Sequence, residues 1–411
     1  MTELDINFPL VILLIGAIII AIHLVKAGIK RIGIPSMVGF MLLGFLIRLS
    51  DTQWNFVTPG LEEILLFMAK IGVITLLFRI GLGSNLKGLM RQLKNASFIW
   101  MSGVTFSAFL GFVTSFYLLR FELVPSLFIA TAFTATSVGV PVSIWQEAKA
   151  LKTKHGELLV DVAEIDDISG IVFMAVLFSV VPVLGDASSE SMTRLLLFSI
   201  GGILLKLLIF GAGCTLFSLY VERHVTEFAG KIASTPGSML MVAGIGFMIA
   251  ALAGMLGFSI AIGAFLAGLA FSRDPKAVKI DTSYKTLFEL FSPFFFIGIG
   301  MMMDPGVLTT AVVIGLILSV SAFFGKLVGH GLPSVLTIGG SGALLIGLSM
   351  VPRAEITMII MQRGHAQGSW AVPAEAYAGM VIVSLLTCII SPVIVQKLLR
   401  HWRVVGGEVN E

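Results

Sequence analysis

Long apolar runs, each closed by a cluster of glycine, proline or charge, follow one another along nearly the whole chain. A helix crossing the hydrocarbon core of a bilayer needs about 20 apolar residues, with a range of roughly 17–25. Dividing the chain at its glycine, proline and charge breaks on that basis yields thirteen segments. They run 7–29, 34–49, 60–83, 95–119, 123–146, 157–184, 194–222, 235–256, 258–272, 285–303, 306–331, 337–362 and 372–400. The stretch 235–272 is read as two helices because Gly254 and Gly257 interrupt it. The predicted class is an all-α polytopic membrane protein with about 13 transmembrane helices.

Lysine and arginine test this division, because cytoplasmic loops are enriched in them. With the N-terminus outside, eighteen of the 27 basic residues fall on inward connections, among them Lys26, Lys87, Lys149, Lys152, Arg223, Arg273, Lys276 and Lys397. The opposite side holds Arg48, Arg120, Arg194 and Arg363. An odd number of spans, N-terminus outside and C-terminus cytoplasmic, explains the alternation and places the chain in the cell (inner) membrane. Glu3 and Asp5 precede the first span without a basic residue, so a retained span is expected rather than a cleaved signal peptide. A short tail follows Arg403, and no attached soluble regulatory domain is expected.

Composition narrows the function. The chain is 57% hydrophobic and 12% charged, with a mean hydropathy of +1.00, which fits lipid surroundings and excludes a soluble enzyme. Cys214 and Cys388 sit far apart in apolar runs, and the six histidines show no metal-ligand spacing, so neither a disulfide framework nor a cofactor is expected. A net charge of +3, dispersed along the chain, gives no reason to expect nucleic acid.

Charges inside spans are costly, at about 2.5–3.5 kcal/mol each on insertion scales, and usually face a bundle interior or a water-filled cavity. Asp166 and Asp167 lie in the middle of one span, in EIDDISG, and neighbouring residues on a helix point about 100° apart. Carboxylates that repel one another out of water take up protons nearer physiological pH. A proton and a bare cation can then compete for the same oxygens, which is the minimal chemistry of exchange. An intramembrane aspartyl protease also needs two aspartates, but facing each other from different helices; here they are consecutive. Lys326, in SAFFGKLVGHG, is the natural counter-charge, with snorkelling to the interface as its alternative. In TAFTATSVGVPVSIWQ, Thr134, Thr136 and Ser137 adjoin Gly139 and Pro141. A helix broken there offers hydroxyls and freed carbonyls to a cation; a kinked helix whose hydroxyls bond their own backbone is the alternative.

These residues resemble the monovalent cation/proton antiporter family, in the branch of bacterial sodium/proton and Kef-type potassium/proton exchangers. The likeness runs through GIPSMVGFMLLGFLI at 33–47, LLFRIGLGSNL at 76–86, TATSVGV at 134–140, the Asp166–Asp167 pair, SIAIGAFLAGL at 259–269 and VPRAEI at 351–356. It implies a single transporter domain over 1–411, with an inverted repeat and a core bundle, about 95–184 and 285–362, moving against a dimerisation bundle in a homodimer within membrane lipid. Two crossed broken helices are implied, with breaks around Thr134–Pro141 and Gly298–Asp304.

By the same resemblance Asp167 takes the cation or proton, Asp166 pairs with Lys326, and Thr136 and Ser137 approach the ion. Arg353 and Glu355 match a buried structural ion pair. Two aspartates with a lysine are similar to the electrogenic sodium type; the transported ions implied are H+ with Na+ or Li+, and K+ for an electroneutral relative. The chain departs from the family after the third span, where Gly81, Leu82, Gly83 and Ser84 lack an expected acid. Arg79 and Glu164 are unusual at their positions and are expected to form a substitute buried pair. A sensor that keeps the scaffold without turnover is the alternative from another class.

Overall fold

The computed structural model describes residues 8–404 apart from 32–33, 84–85, 138, 152, 186–191, 233–236, 257–259 and 273–276. Glu3, Asp5, Ser84, Lys152, Gly257, Arg273 and Lys276 therefore lie outside the described residues. The helices run α1 (Phe8–Arg31), α2 (Ser36–Trp54), α3 (Pro59–Gly83), α4 (Leu86–Val113), α5 (Leu123–Thr134), α6 (Gly139–Glu147), α7 (Lys154–Gly185) and α8 (Met192–Leu216). They continue as α9 (Glu222–Ile232), α10 (Gly237–Met255), α11 (Ile260–Phe271), α12 (Ala277–Met301), α13 (Leu308–Ser349), α14 (Glu355–His365) and α15 (Ala374–Val404). No strand occurs among the described residues, and seven helical stretches are long and apolar enough to cross a membrane.

The predicted spans map onto these helices apart from α9, a helix at Glu222–Ile232 where a connection is expected, and with two further instructive differences. The stretch 308–349 is helical almost throughout, and at 1.5 Å per residue a straight rod of that length would be about twice the thickness of a bilayer. It is not straight. Gly339, with φ of +74° and ψ of 173°, breaks the helical path, and the chain folds back: a Cβ on Gly331 would lie 3.2 Å from the Ala343 carbonyl, and one on Gly347 would lie 2.7 Å from that of Leu327. Two antiparallel spans result, as the hydropathy pattern predicts.

The second difference is a correction. The break expected around Gly298–Asp304 occurs at Met350–Ala354, between α13 and α14. α12 continues through Pro293 to Met301, and Asp304 starts a new turn by accepting a 2.8 Å hydrogen bond from the Gly306 N–H. The glycines there serve packing instead, Gly300 lying where a Cβ would collide with the Met41 carbonyl. At the true break, Pro352 disfavours helical geometry at Val351.

The chain clusters into two compact units. The first comprises residues 1–25, 40–86 and 185–301. In it α3 packs on α11 and α12, the latter including residues 285–301 that the resemblance assigns to the core bundle. Glycines permit the close approach: a side chain on Gly81 would strike the Phe265 carbonyl, and one on Gly268 the Phe78 carbonyl, a reciprocal antiparallel seam. In a membrane, where burying apolar surface gives helices little reason to associate, such close backbone contact supplies the packing energy.

The second unit comprises residues 26–39, 87–184 and 302–411. α13 lies against α15 and, through Gly103, Ser107, Gly325 and Gly329, against α4. Beneath α7, Leu158, Leu159, Val162 and Ala163 join Trp145, Ile99, Leu345 and Leu399 in a closed apolar cluster. Its indoles are not left unpaired: Trp145 Nε1 donates to Ser349 Oγ at 2.9 Å and Trp100 Nε1 to Ser169 Oγ at 2.8 Å. α7 is thus held on several sides, which fixes where its aspartates point.

The seam between α3 and α11 makes a direct prediction. Gly268→Val should lower the unfolding midpoint of the detergent-purified protein, an overpacking cost on the order of 1–3 kcal/mol. Gly213→Ala on α8, where a Cβ meets nothing within 4 Å, should leave it unchanged or slightly raised.

Candidate functional site

α5 ends at Thr134, and Ala135 leaves the helix with φ of −72° and ψ of 146°. α6 resumes at Gly139, with Pro141 in its first turn, where the missing N–H costs nothing. α14 starts after Ala354, at φ of −142° and ψ of −90°. The two breaks meet: the Ser137 N–H donates to the Pro352 carbonyl at 2.8 Å, and Thr136 Oγ1 donates to the Met350 carbonyl at 3.1 Å.

A helix end frees carbonyls that must find donors when no water is at hand. At the C-terminus of α5 two buried cations and a hydroxyl meet this need. Arg353 Nη1 donates to the Phe133 carbonyl and to that of Ala135 at 3.1 Å, with the Ala132 carbonyl at 3.4 Å. Its guanidinium lies 4.5 Å from the centre of the Phe133 ring. Thr357 Oγ1 donates to the Ala132 carbonyl at 3.0 Å, and Lys326 Nζ donates to the Thr134 carbonyl at 2.5 Å. Positive charge at this end also complements the helix dipole.

α15 secures the second break from behind. The Arg353 carbonyl accepts from Ser384 Oγ at 2.6 Å, its N–H donates to Thr387 Oγ1 at 3.2 Å, and Ser391 Oγ donates to the Leu348 carbonyl at 2.6 Å.

Lys326 has a second partner. Its Nζ lies 2.8 Å from Asp166 Oδ2, and both side chains are 0% exposed. The lysine therefore does not snorkel. Asp167 is 6% exposed and points elsewhere on the helix, within electrostatic reach of Glu355, Asp166, Glu164 and Lys326. Asp166 Oδ1 is buried without a hydrogen-bond partner, and the Ser137 hydroxyl lies against the Glu355 carboxylate. Hard monovalent cations take oxygen ligands, and an uncommitted carboxylate oxygen is chemically suited to one.

The other anticipated residues take different places. The Thr134 hydroxyl bonds its own helix, donating to the Thr131 carbonyl at 2.7 Å, so Thr134 enters the site through its carbonyl; the hydroxyl of Thr136 is committed to the opposite break. Arg353 and Glu355 form no ion pair: the arginine is committed to the α5 carbonyls. Glu355 instead occupies the first turn of α14, where the helix dipole favours an anion. Arg79 lies in the first unit with its guanidinium 4.4 Å from the centre of the Phe288 ring, and Glu164 lies on α7 in the second; their pairing stays a proposal.

Two residues escaped the sequence reading. His330, one turn beyond Lys326, is fully buried against Gly103, with the Lys326 carbonyl of its own helix within reach of the ring; the Lys-x-x-x-His spacing signals a shared face. Thr357 has no such signal, because its acceptor is 225 residues away.

Two interrupted helices crossing at their breaks, with an ion pair lodged at the crossing, define a secondary transporter of the broken-helix kind. The chain belongs to the sodium/hydrogen exchanger family, whose transmembrane model matches residues 14–401. It is similar to a Na(+)/H(+) antiporter of Enterococcus hirae, 29% identical over 89% of this chain and 92% of that one. It is also similar to the high-affinity Na(+)/H(+) antiporter NhaS3 of Synechocystis, 28% identical over 95% and 84%. The Na(+)/H(+)-K(+) antiporter GerN of Bacillus cereus is 26% identical over 88% and 89%. Among solved structures, the sodium proton antiporter MjNhaP1 of Methanocaldococcus jannaschii shares the fold, with a TM-score of 0.70 at 16% identity over 97% of this chain and 98% of that one. The chain is accordingly a multi-pass membrane exchanger, not an enzyme.

The carbonyl role of Arg353 separates it from an ion-pair role. Arg353→Met should destabilise the protein on the order of 3 kcal/mol, since several buried carbonyls lose their donor, whereas Glu355→Gln should cost less than 1 kcal/mol. Equal losses in thermal unfolding of the two variants would restore the ion pair.

Proposed function

We propose that this protein is a secondary active antiporter that exchanges protons for sodium or lithium, electrogenically and by alternating access, with Asp167 as the shared cation and proton site. The observation that carries the reading is the position of Lys326, shared between the Thr134 carbonyl at the α5 break and the Asp166 carboxylate. A cation arriving at Asp167 and Asp166 competes with the ammonium for the same carboxylate. Lys326 then loses its partner, and an unpaired buried charge costs about 3–5 kcal/mol, so the lysine gives up its proton or moves. Protonation on the far side releases the cation and restores the pair. Loss of two protons for one cation moves net charge, and 100 mV is worth about 2.3 kcal/mol per charge. The basic loops support an outside N-terminus and a cytoplasmic C-terminus, and we read the functional unit as a homodimer in the cell membrane.

A potassium/proton exchanger is the second reading, favoured by relatives such as GerN and the K(+)/H(+) antiporter subunit KhtU of Bacillus subtilis, 26% identical over 84% of this chain and 82% of that one. Cation-induced proton flux in proteoliposomes, with sodium, lithium or potassium and with the potential clamped by valinomycin, separates the two. Sodium or lithium flux that follows the imposed voltage supports the first reading; flux with potassium alone, indifferent to voltage, supports the second. No flux with any cation points to a sensor. Asp167→Asn should abolish exchange under all conditions. Lys326→Gln should retain a fraction of it with weaker voltage dependence, and raising the pH should lower the apparent KM for the cation as protons withdraw from the competition.

A further inference from the structure

α7 carries more acid than the exchange site uses. Glu157, Asp161, Glu164 and Asp167 are spaced four, three and three residues apart, which at 100° per residue confines them to a sector of about 120°. Asp166 faces the opposite way, toward Lys326. The stripe therefore leads from the N-terminal end of α7 to Asp167 and bypasses the ion pair. Glu157 is exposed, Glu164 half-buried and Asp167 buried. Asp161 lies within electrostatic reach of Glu157, as does Glu164 of Asp167.

The spacing alone would describe any acidic helix face. What sets this one apart is Asp161: it is 9% exposed, and its Oδ2 is buried with no hydrogen-bond partner. A buried carboxylate oxygen without a donor costs free energy, and a cation is the ligand that removes the cost. Along the helix Asp161 lies about 9 Å before Asp167, close enough for a partly dehydrated cation to pass between them.

We infer that Asp161 is an auxiliary site for a monovalent cation on the access route that opens at the N-terminal end of α7, holding the ion in transit to and from Asp167. The inference rests on the antiport reading and assigns that site its approach on one face of the membrane. Asp161 is a positioning residue for the substrate rather than a member of the exchanging pair, and its role is one-sided because no equivalent acid continues the stripe beyond Asp167 on α7.

The test uses the full-length protein in membrane vesicles of each orientation, with sodium as the probe. Asp161→Asn should raise the apparent KM about tenfold for sodium offered on the face to which the N-terminal end of α7 opens, with the maximal rate unchanged. For sodium offered on the other face the KM should stay constant and the maximal rate fall about tenfold, because detailed balance slows release along the same route. Asp161→Glu, which keeps the charge, should remain within twofold of the parent on both faces. Unchanged constants in Asp161→Asn, a change in the same constant on both faces, or a tenfold KM rise in Asp161→Glu would overturn the inference while leaving antiport intact. If Asp161→Asn does not fold, the Asp161→Glu result decides. An inert parent protein would instead overturn the antiport reading, and the auxiliary site with it.

Discussion

A helix interrupted inside a bilayer leaves carbonyl oxygens that water cannot reach, and most of this protein's polar architecture answers that constraint. The last turn of α5 exposes the carbonyls of Ala132, Phe133 and Thr134, and donors are brought to them from α13, α14 and the loop between those helices. Because the donors include two cations, the break becomes a point of concentrated positive charge in a low dielectric. Such charge needs an anion nearby, and α7 supplies Asp166. The requirement of backbone satisfaction thus builds the electrostatic environment of the candidate site.

Lys326 is the pivotal member because it serves two masters of different strength. The Thr134 carbonyl is a fixed dipole, whereas the Asp166 carboxylate is, in the exchange proposed above, a partner for which an arriving cation competes. A buried ion pair adds little net stability relative to an apolar pair of the same shape. Its energetic weight lies in the cost of separating it, which is what a switch requires. Arg353, bound to several carbonyls and stacked on Phe133, has no such changeable partner among its hydrogen bonds and acts as a fixed brace.

The shared fold with MjNhaP1 at 16% identity has a simple physical basis. Apolar side chains facing lipid or one another can be exchanged with little effect provided small residues remain where backbones touch, as at Gly44, Gly268 and Gly300. The candidate site rests on far fewer residues, in which a carboxylate, a lysine and an arginine do different electrostatic work. Cation preference is finer still, since it depends on coordination distances rather than on which residue types are present.

The chain's pattern determined by itself that this is a polytopic helical membrane protein, because about 20 apolar residues per crossing is a requirement of the bilayer and not of any particular fold. It also singled out Asp166, Asp167 and Lys326, because ionised groups in apolar spans are too costly to retain without purpose. The division of 235–272 into two helices was legible for local reasons, through glycine; the interruption after Thr134 was left open by its glycine and proline, which fit a kinked helix as well, and was implied by the family resemblance. Location of the second break was not legible. Glycine-rich 298–306 and proline-containing 350–354 are both plausible interruptions along the chain, and only packing shows that the first lets helices approach while the second meets Ser137 and Thr136. The partner of Arg353 was hidden for the same reason. Glu355 is two residues away, yet the carbonyls that hold the arginine belong to a helix more than two hundred residues earlier, and sequence proximity carries no information about where a broken helix ends in space.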